Sequence, residues 1–492
     1  MTAATTQQPE TKREFKRELR LLDASMIVIG SMIGSGIFIV SADIARTVGS
    51  PGLLLLVWVI TGVMTLTCAL SYGELAGMMP RAGGQYVYLR EAYNPLIGFL
   101  YGWTLFLVIQ TGTIAAVAVA FSRFTAVVFP ELGESVLLVS LGGVKITAAR
   151  LVAIGSILLL TWANTRGIRG GKFIQDIFTS AKTLAVIGLI LLGLLIGRNA
   201  TAVSANFSDF WSGSWTHMAD GQIVSVEPLS GITLLAAIAV AMVGSLFAAD
   251  AWNNITFAAG EVVKPSRTIP LSLVIGTGTV ILLYLAANVA YLMVLPLHGS
   301  PDAADVAGRG IQFAVNDRVG TAATAVMFGD VASLIMAVLI MISTFGCNNG
   351  LILAGARVTY AMARDNLFFA SAGKLNNCSV PATALWVQAL WASLLCLTGT
   401  YSDLLDYVVF AVLIFYILTI SGLFILRRKQ PKAERPYKAF GYPILPALYV
   451  LAAALICVAL LIYKPTYTWP GVVIVLLGIP VYAVWRRFIR NR

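Results

Sequence analysis

Apolar stretches of about 20 residues, each long enough to cross roughly 30 Å of hydrocarbon as a helix, recur along nearly the whole chain and restrict its fold more than any other feature. About twelve can be counted, near residues 24–45, 53–78, 96–126, 148–165, 173–197, 232–259, 270–295, 327–362, 382–399, 404–426, 445–463 and 470–486. With 58% hydrophobic and 12% charged residues and a mean hydropathy of +0.84, the expected solvent is a bilayer. The predicted fold class is an all-α polytopic membrane protein with about 12 transmembrane helices.

A net charge of +11 raises the question of nucleic acid, and the placement of the basic residues answers it. One side of the spans takes 25 of the 34 Lys and Arg, including Lys12, Arg13, Lys16, Arg17, Arg20 and the cluster from Arg427 to Lys438. The other takes eight: Arg46, Arg123, Lys145, Arg150, Arg198, Arg309, Arg318 and Lys464. The positive-inside bias predicts both termini in the cytoplasm and an even number of spans. The segment Asn199 to Ser230 has no Lys or Arg, carries Asp209, Asp220 and Glu227 beside Phe207, Phe210 and Trp211, and reads as an external loop. The basic charge is thus topology and lipid contact, with no nucleic-acid partner expected.

The first twenty residues are polar and lead into a long span with no cleavage site, so a retained cytoplasmic tail over 1–20 is expected rather than a signal peptide. The cysteines at 68, 347, 378, 396 and 457 show no metal-ligand spacing, and His217 and His298 fall in predicted outer loops. No cofactor is expected. Neither HExxH, GxSxG nor GxxxxGK[ST] occurs, so an enzyme is not expected.

Two spans are interrupted near their middles. Span one reads Gly30-Ser31-Met32-Ile33-Gly34-Ser35-Gly36, and each glycine weakens a helix by about 1 kcal/mol relative to Ala. Span six reads Phe247-Ala248-Ala249-Asp250-Ala251-Trp252-Asn253-Asn254, placing a carboxylate where it costs at least ~2.5 kcal/mol unless it faces a wet cavity or a partner. First and sixth are corresponding positions of two five-span halves, the pattern of an inverted-repeat transporter. Irregular backbone at membrane depth is tolerated where it lines a cavity, and its freed groups then become ligands. The N–H groups of Ser35 and Gly36 open a half-helix whose dipole favours a carboxylate. The carbonyls of Met32 and Ile33, and of Phe247, Ala248 and Ala249, suit an ammonium. Together they suit an α-amino acid. The competing reading of Gly30-x-x-x-Gly34 is a small-residue packing face.

Lys182 lies about nine residues into span five, roughly 14 Å of helix rise, beyond the reach of snorkelling. It could be a fixed cation in place of sodium, a group that gains and loses a proton, or a structural cation bonded to carbonyls of span one. Asp250 could hold an ammonium, take up a proton, or cap the unwound segment. Glu74 is expected to form a structural ion pair near Arg81, and Asp176 and Arg357 to sit near the inner face.

With those residues in view, the chain resembles the amino acid–polyamine–organocation superfamily, and within it bacterial relatives of the L-amino-acid transporter group. The similarity runs over about residues 20–480 and rests on Gly34-Ser35-Gly36-Ile37-Phe38, Tyr72-Gly73-Glu74-Leu75, Pro80-Arg81-Ala82-Gly83-Gly84-Gln85-Tyr86, Trp252-Asn253, Gly260-Glu261 and Arg435-Pro436-Tyr437-Lys438. The resemblance implies a five-plus-five inverted repeat with broken helices 1 and 6, two extra C-terminal helices, and alternating access around a site between spans one, three, six, eight and ten. It implies an outer aromatic gate at Phe247, pocket-facing roles for Gln110 and Thr113, and a coupling role for Lys182 with Ser343 as neighbour. Where many relatives have glycine, this chain has Asp250. No cysteine lies between Val127 and Ala149, so no disulfide-linked heavy chain is expected.

The expected divisions are the tail 1–20, a first repeat 21–198, the external loop 199–230, a second repeat 231–428, a cytoplasmic loop 429–444, and the last two spans with a tail, 445–492. The expected function is secondary transport of amino acids, the expected substrates being neutral ones, by exchange or proton symport across the inner membrane. An amine or polyamine transporter of the same superfamily is the alternative, and an ion channel a more distant one.

Overall fold

The computed structural model describes residues 17–80, 83–141, 144–166, 171–219, 222–378, 380–397 and 401–490, with the side chains of 141, 144, 171–177, 467 and 488–490 left out of the description. The tail over 1–16, Arg81 and Asp220 therefore lie outside the described residues, as does the side chain of Asp176.

Among the described residues ten helices are long and apolar enough to cross a membrane, a bent pair makes an eleventh, and the expected span near 382–399 is the shorter helix Ala382–Leu395. Span one is two helices, Leu21–Met32 and Gly36–Val48, bent by 42° at the break between them. Spans two to five are Pro51–Met78, Pro95–Val128, Ala148–Thr165 and Gly171–Leu195. Span six is Gly231–Ala248, followed after the break by the single turn Asn254–Phe257. Spans seven to twelve are Pro265–Val294, Asp330–Arg364, Ala382–Leu395, Tyr401–Lys429, Ile444–Tyr463 and Pro465–Arg490. The all-α polytopic reading holds.

Starts are written locally. Ser50, Asn94 and Thr147 each cap a helix by accepting an N–H three residues on, from Leu53, Ile97 and Arg150, and Pro51 and Pro95 follow their caps where a missing N–H costs nothing. The apolar residues then point outward as well as inward. Leu195, Ile232 and Leu235 are exposed, as suits lipid contact, whereas Glu74 and Lys182 are buried. Span two packs along span seven and span three along span eight, while the first half of span one lies among spans five, seven and eight and its second half against span six.

The break in span six is where it was expected, and two other expectations need correction. Span six is interrupted within the stretch Phe247–Asn254: its helix stops at Ala248, and Ala251 beyond it takes a left-handed backbone (φ 64°). The external segment from 199 is not a plain loop: it contains a helix, Ala200–Ser208, and the hairpin of β3 (Ser214–Ala219) with β4 (Gln222–Pro228). A second hairpin on the same face pairs β1 (Leu137–Leu141) with β2 (Val144–Thr147). Finally, Glu74 forms a structural ion pair, but with Arg427 at 2.6 Å and Arg435 at 3.2 Å, and it also accepts the Ala439 amide at 2.7 Å. These contacts tie span two to span ten and to the segment after it.

Candidate substrate site

Breaking span one inside a dry bundle releases carbonyls that a helix would otherwise satisfy, and each then needs a donor. The structure supplies one for five consecutive residues. Gly30 O accepts from Lys182 Nζ, Ser31 O from Cys347 Sγ at 3.2 Å and Met32 O from the Tyr284 hydroxyl at 2.9 Å. Ser343 Oγ lies 3.4 Å from Ile33 O and 3.5 Å from Gly34 O. Lys182, buried to 1% exposure, thus points at the break from span five, and Ser343 and Cys347 reach it from span eight. Met32 and Ile33, expected to offer free carbonyls, already have protein donors, and only their second lone pairs are available.

The second half-helix begins at Gly36, where the first amides have no intrahelical acceptor. Gly36 lies hard against span six: a Cβ there would stand 2.5 Å from Ala248 Cβ and 2.8 Å from Ala248 Cα. At Gly34 an added Cβ would meet Cys347 Sγ at 3.1 Å. The glycines therefore serve close packing and helix breaking together. Across the contact, the helix ending at Ala248 presents its last carbonyls, with Phe247 O taken by the Asp250 amide at 3.2 Å. A helix N-terminus and a helix C-terminus thus meet at membrane depth, offering opposite partial charges to the two ends of a zwitterion.

Toward the hairpin face the breaks are covered. The Phe247 ring packs edge-on against Tyr401 at 6.1 Å, the Tyr401 hydroxyl shares a hydrogen bond with Ser35 Oγ at 3.1 Å, and Arg123 stands over the same ring at 5.6 Å. Toward the face bearing the termini lies a small cavity lined by Gln110, Thr113, Asp250, Asn253, Gln85 and Tyr416 among others. It brings together Gln110, Thr113 and Asp250. It does not include Met32, Ile33, Gly34, Ser35, Gly36, Phe247, Ala248 or Ala249, although Ala249 adjoins Asp250 and lines a second cavity.

Gln110 follows a π-helical turn over Leu105–Ile109 and donates to Leu351 O at 2.7 Å. Thr113 returns its hydroxyl to Ile109 O at 2.7 Å. Asp250 accepts from the Tyr416 hydroxyl at 2.5 Å, and no basic residue is paired with it among the described residues. Sequence reasoning missed Tyr284, Cys347, Tyr401 and Tyr416. The three tyrosines stand within apolar spans, where a buried hydroxyl requires a partner, and that was the available signal. No group of three potential metal-ligating residues occurs among the described residues.

The Amino acid permease family profile matches residues 19–484, nearly the whole chain. The chain belongs to the amino acid permease family. It is 31% identical to the human large neutral amino acids transporter small subunit 2, over 95% of this chain and 80% of that protein. It is 30% identical to the human Asc-type amino acid transporter 1, over 96% and 83%, and 28% identical to the human b(0,+)-type amino acid transporter 1, over 94% and 86%. This permease is accordingly a multi-pass membrane transporter of amino acids and not an enzyme. These relatives are mammalian, so they do not bear on the narrower bacterial affinity.

Proposed function

We propose that this permease carries neutral L-amino acids by alternating access, exchanging one for another. The observation that supports this most is the meeting of the two half-helix ends at Gly36 and Ala248, where the Ser35 and Gly36 amides take the substrate carboxylate and the carbonyl ends of Phe247, Ala248 and Ala249 take its ammonium. Met32, Ile33 and Gly34 shape the break. The side chain then lies toward Gln110 and Thr113, whose polar but uncharged surface suits a neutral group. Phe247 with Tyr401 forms the gate on the hairpin face, and the described state is closed there. Lys182 and Ser343 hold the carbonyl end of the break and couple its geometry to span five and span eight. Exchange is supported by Lys182 occupying the break as a permanent ligand, with no site for a driving ion needed.

The two five-span repeats divide at 21–198 and 231–428 in this reading, with cytoplasmic termini in an inner membrane. The name "small subunit" on one relative points to an assembly, whereas this chain has no cysteine between residues 127 and 149. We therefore assign it no disulfide-linked heavy chain, and a single band at chain mass on a non-reducing gel of native membranes is the expected result.

One observation favours a second reading: the Asp250 carboxylate lines the cavity with a tyrosine, not a cation, as its partner. That arrangement would suit an amine or polyamine. Comparing leucine with its decarboxylated amine by ligand-induced thermal shift separates the two. A larger shift with the amine would overturn the amino-acid assignment.

A further inference from the structure

The basic cluster after span ten has two kinds of member. Arg427 and Arg435 are spent inside the protein, on the fully buried Glu74 carboxylate of span two, and Ala439 donates its amide to the same group. Tyr437 lies against Gly73 of span two, where an added Cβ would meet its Cε1 at 3.1 Å, and the Arg427 guanidinium stands 3.6 Å over the Tyr442 ring. These contacts fix the segment against the end of span two. Arg428, Lys432 and Lys438 are instead exposed, and no carboxylate is paired with them among the described residues.

An apolar surface adjoins these cations. Phe440 is 71% exposed, and Ile444, Leu448, Leu451 and Leu455 follow at helical spacing along span eleven, each more than half exposed. That stripe is a lipid-facing side of the helix, and Phe440 extends it beyond the helix start on the face bearing the termini. An aromatic ring at the edge of such a stripe belongs at headgroup level, where neighbouring cations meet lipid phosphates. A backbone already held by Glu74 presents those cations with little further ordering to lose on binding. A bilayer meets an apolar stripe and adjacent cations at once, whereas a soluble acidic partner would meet only the cations.

We propose that the segment from Arg428 to Phe440 is a binding site for anionic phospholipid headgroups in the leaflet on the face bearing the termini, with Arg428, Lys432 and Lys438 on the phosphates and Phe440 inserted beside the chains. Because the same segment is tied to Glu74, bound lipid strengthens the connection between spans two and ten, and it should raise thermal stability. This site is independent of which substrate the permease carries.

The test is thermal melting of the purified full chain in detergent, titrated with phosphatidylglycerol or phosphatidylcholine. Phosphatidylglycerol should stabilise the parent protein at roughly tenfold lower concentration, and the triple variant Arg428→Gln, Lys432→Gln, Lys438→Gln should lose that advantage while melting as the parent does in phosphatidylcholine. Arg486→Gln with Arg487→Gln, which removes two exposed cations from the end of span twelve on the same face, is the control and should respond as the parent does. Equal response of the parent to both lipids, an undiminished response in the triple variant, or the same loss in the control overturns the site. Stabilisation by soluble glycerol phosphate or polyglutamate equal to that by phosphatidylglycerol would mark a small-anion or acidic-protein site and overturn the lipid assignment. Native mass spectrometry of the unaltered chain, which requires no variant to fold, should show phosphatidylglycerol retained in preference to phosphatidylcholine, and equal retention also overturns the proposal.

Discussion

Gly36→Ala is the most exacting perturbation of the contact between the two breaks. The added methyl carbon would stand 2.5 Å from Ala248 Cβ and 2.8 Å from Ala248 Cα, against an optimal carbon–carbon separation of about 3.5–4.0 Å. One of the opposing atoms is backbone, so no rotamer change relieves the overlap. Overpacking costs about 1–3 kcal/mol, and the helix-propensity gain of Ala is small at a first helical residue. A net cost of about 2 kcal/mol corresponds to a roughly thirtyfold shift away from the state closed on the hairpin face. A cysteine at Ser402, which lines the vestibule above the Phe247–Tyr401 contact, reports that opening through its reaction with a membrane-impermeant thiol reagent, in a chain lacking the exposed Cys378. Labelling should accelerate by about that factor. Gly155→Ala is the control, because nothing lies within 4 Å of its added carbon. Labelling and thermal stability equal to the parent protein in Gly36→Ala, or the same change in both variants, would refute the packing argument.

Other consequences follow from the polar contacts. Lys182→Met keeps most of the buried volume but leaves Gly30 O without its donor, an expected loss of about 1–3 kcal/mol, measured as reduced thermal stability and at least tenfold slower uptake. Glu74→Gln leaves Arg427 and Arg435 without their shared carboxylate, and breaking a buried pair costs about 3–5 kcal/mol, so melting in detergent should fall steeply. Asp250→Asn retains an acceptor for Tyr416 and removes the charge; leucine uptake should survive, whereas an amine carrier would lose roughly tenfold or more in amine affinity.

What the sequence revealed divides along a physical line. Hydrophobic length is a local property, and it located a helix at each expected span, eleven of them long enough to cross when the bent pair is taken as one, with Ala382–Leu395 shorter than its apolar stretch suggested. Glycine is also local, so the break in span one could be read from Gly34 and Gly36. The break in span six could likewise be read from Asp250 and the two asparagines after it, whereas the positive φ of Ala251 inside it could not. The hairpins were hidden because their strands, of four to seven residues, are too short to show alternation. The partners of the freed carbonyls come from spans five, seven and eight, up to 316 positions away in the case of Cys347 and Ser31. Lys182 was conspicuous because a charge at that depth has to be explained. Tyr284 and Cys347 were not, since a tyrosine or a cysteine in an apolar span is ordinary packing until its hydrogen bond is seen. Glu74 shows the intermediate case, in which the need for a cation was legible and the identity of the cation was a tertiary matter.

The central claim concerns transport, and one assay addresses it directly: uptake of labelled leucine into liposomes containing the purified permease, with and without unlabelled leucine inside and with no pH gradient. Exchange predicts uptake that depends on internal amino acid, is competed by neutral amino acids, and is not competed by the decarboxylated amine. Uptake indifferent to internal substrate, or competed better by the amine than by the amino acid, would contradict the proposed carrier.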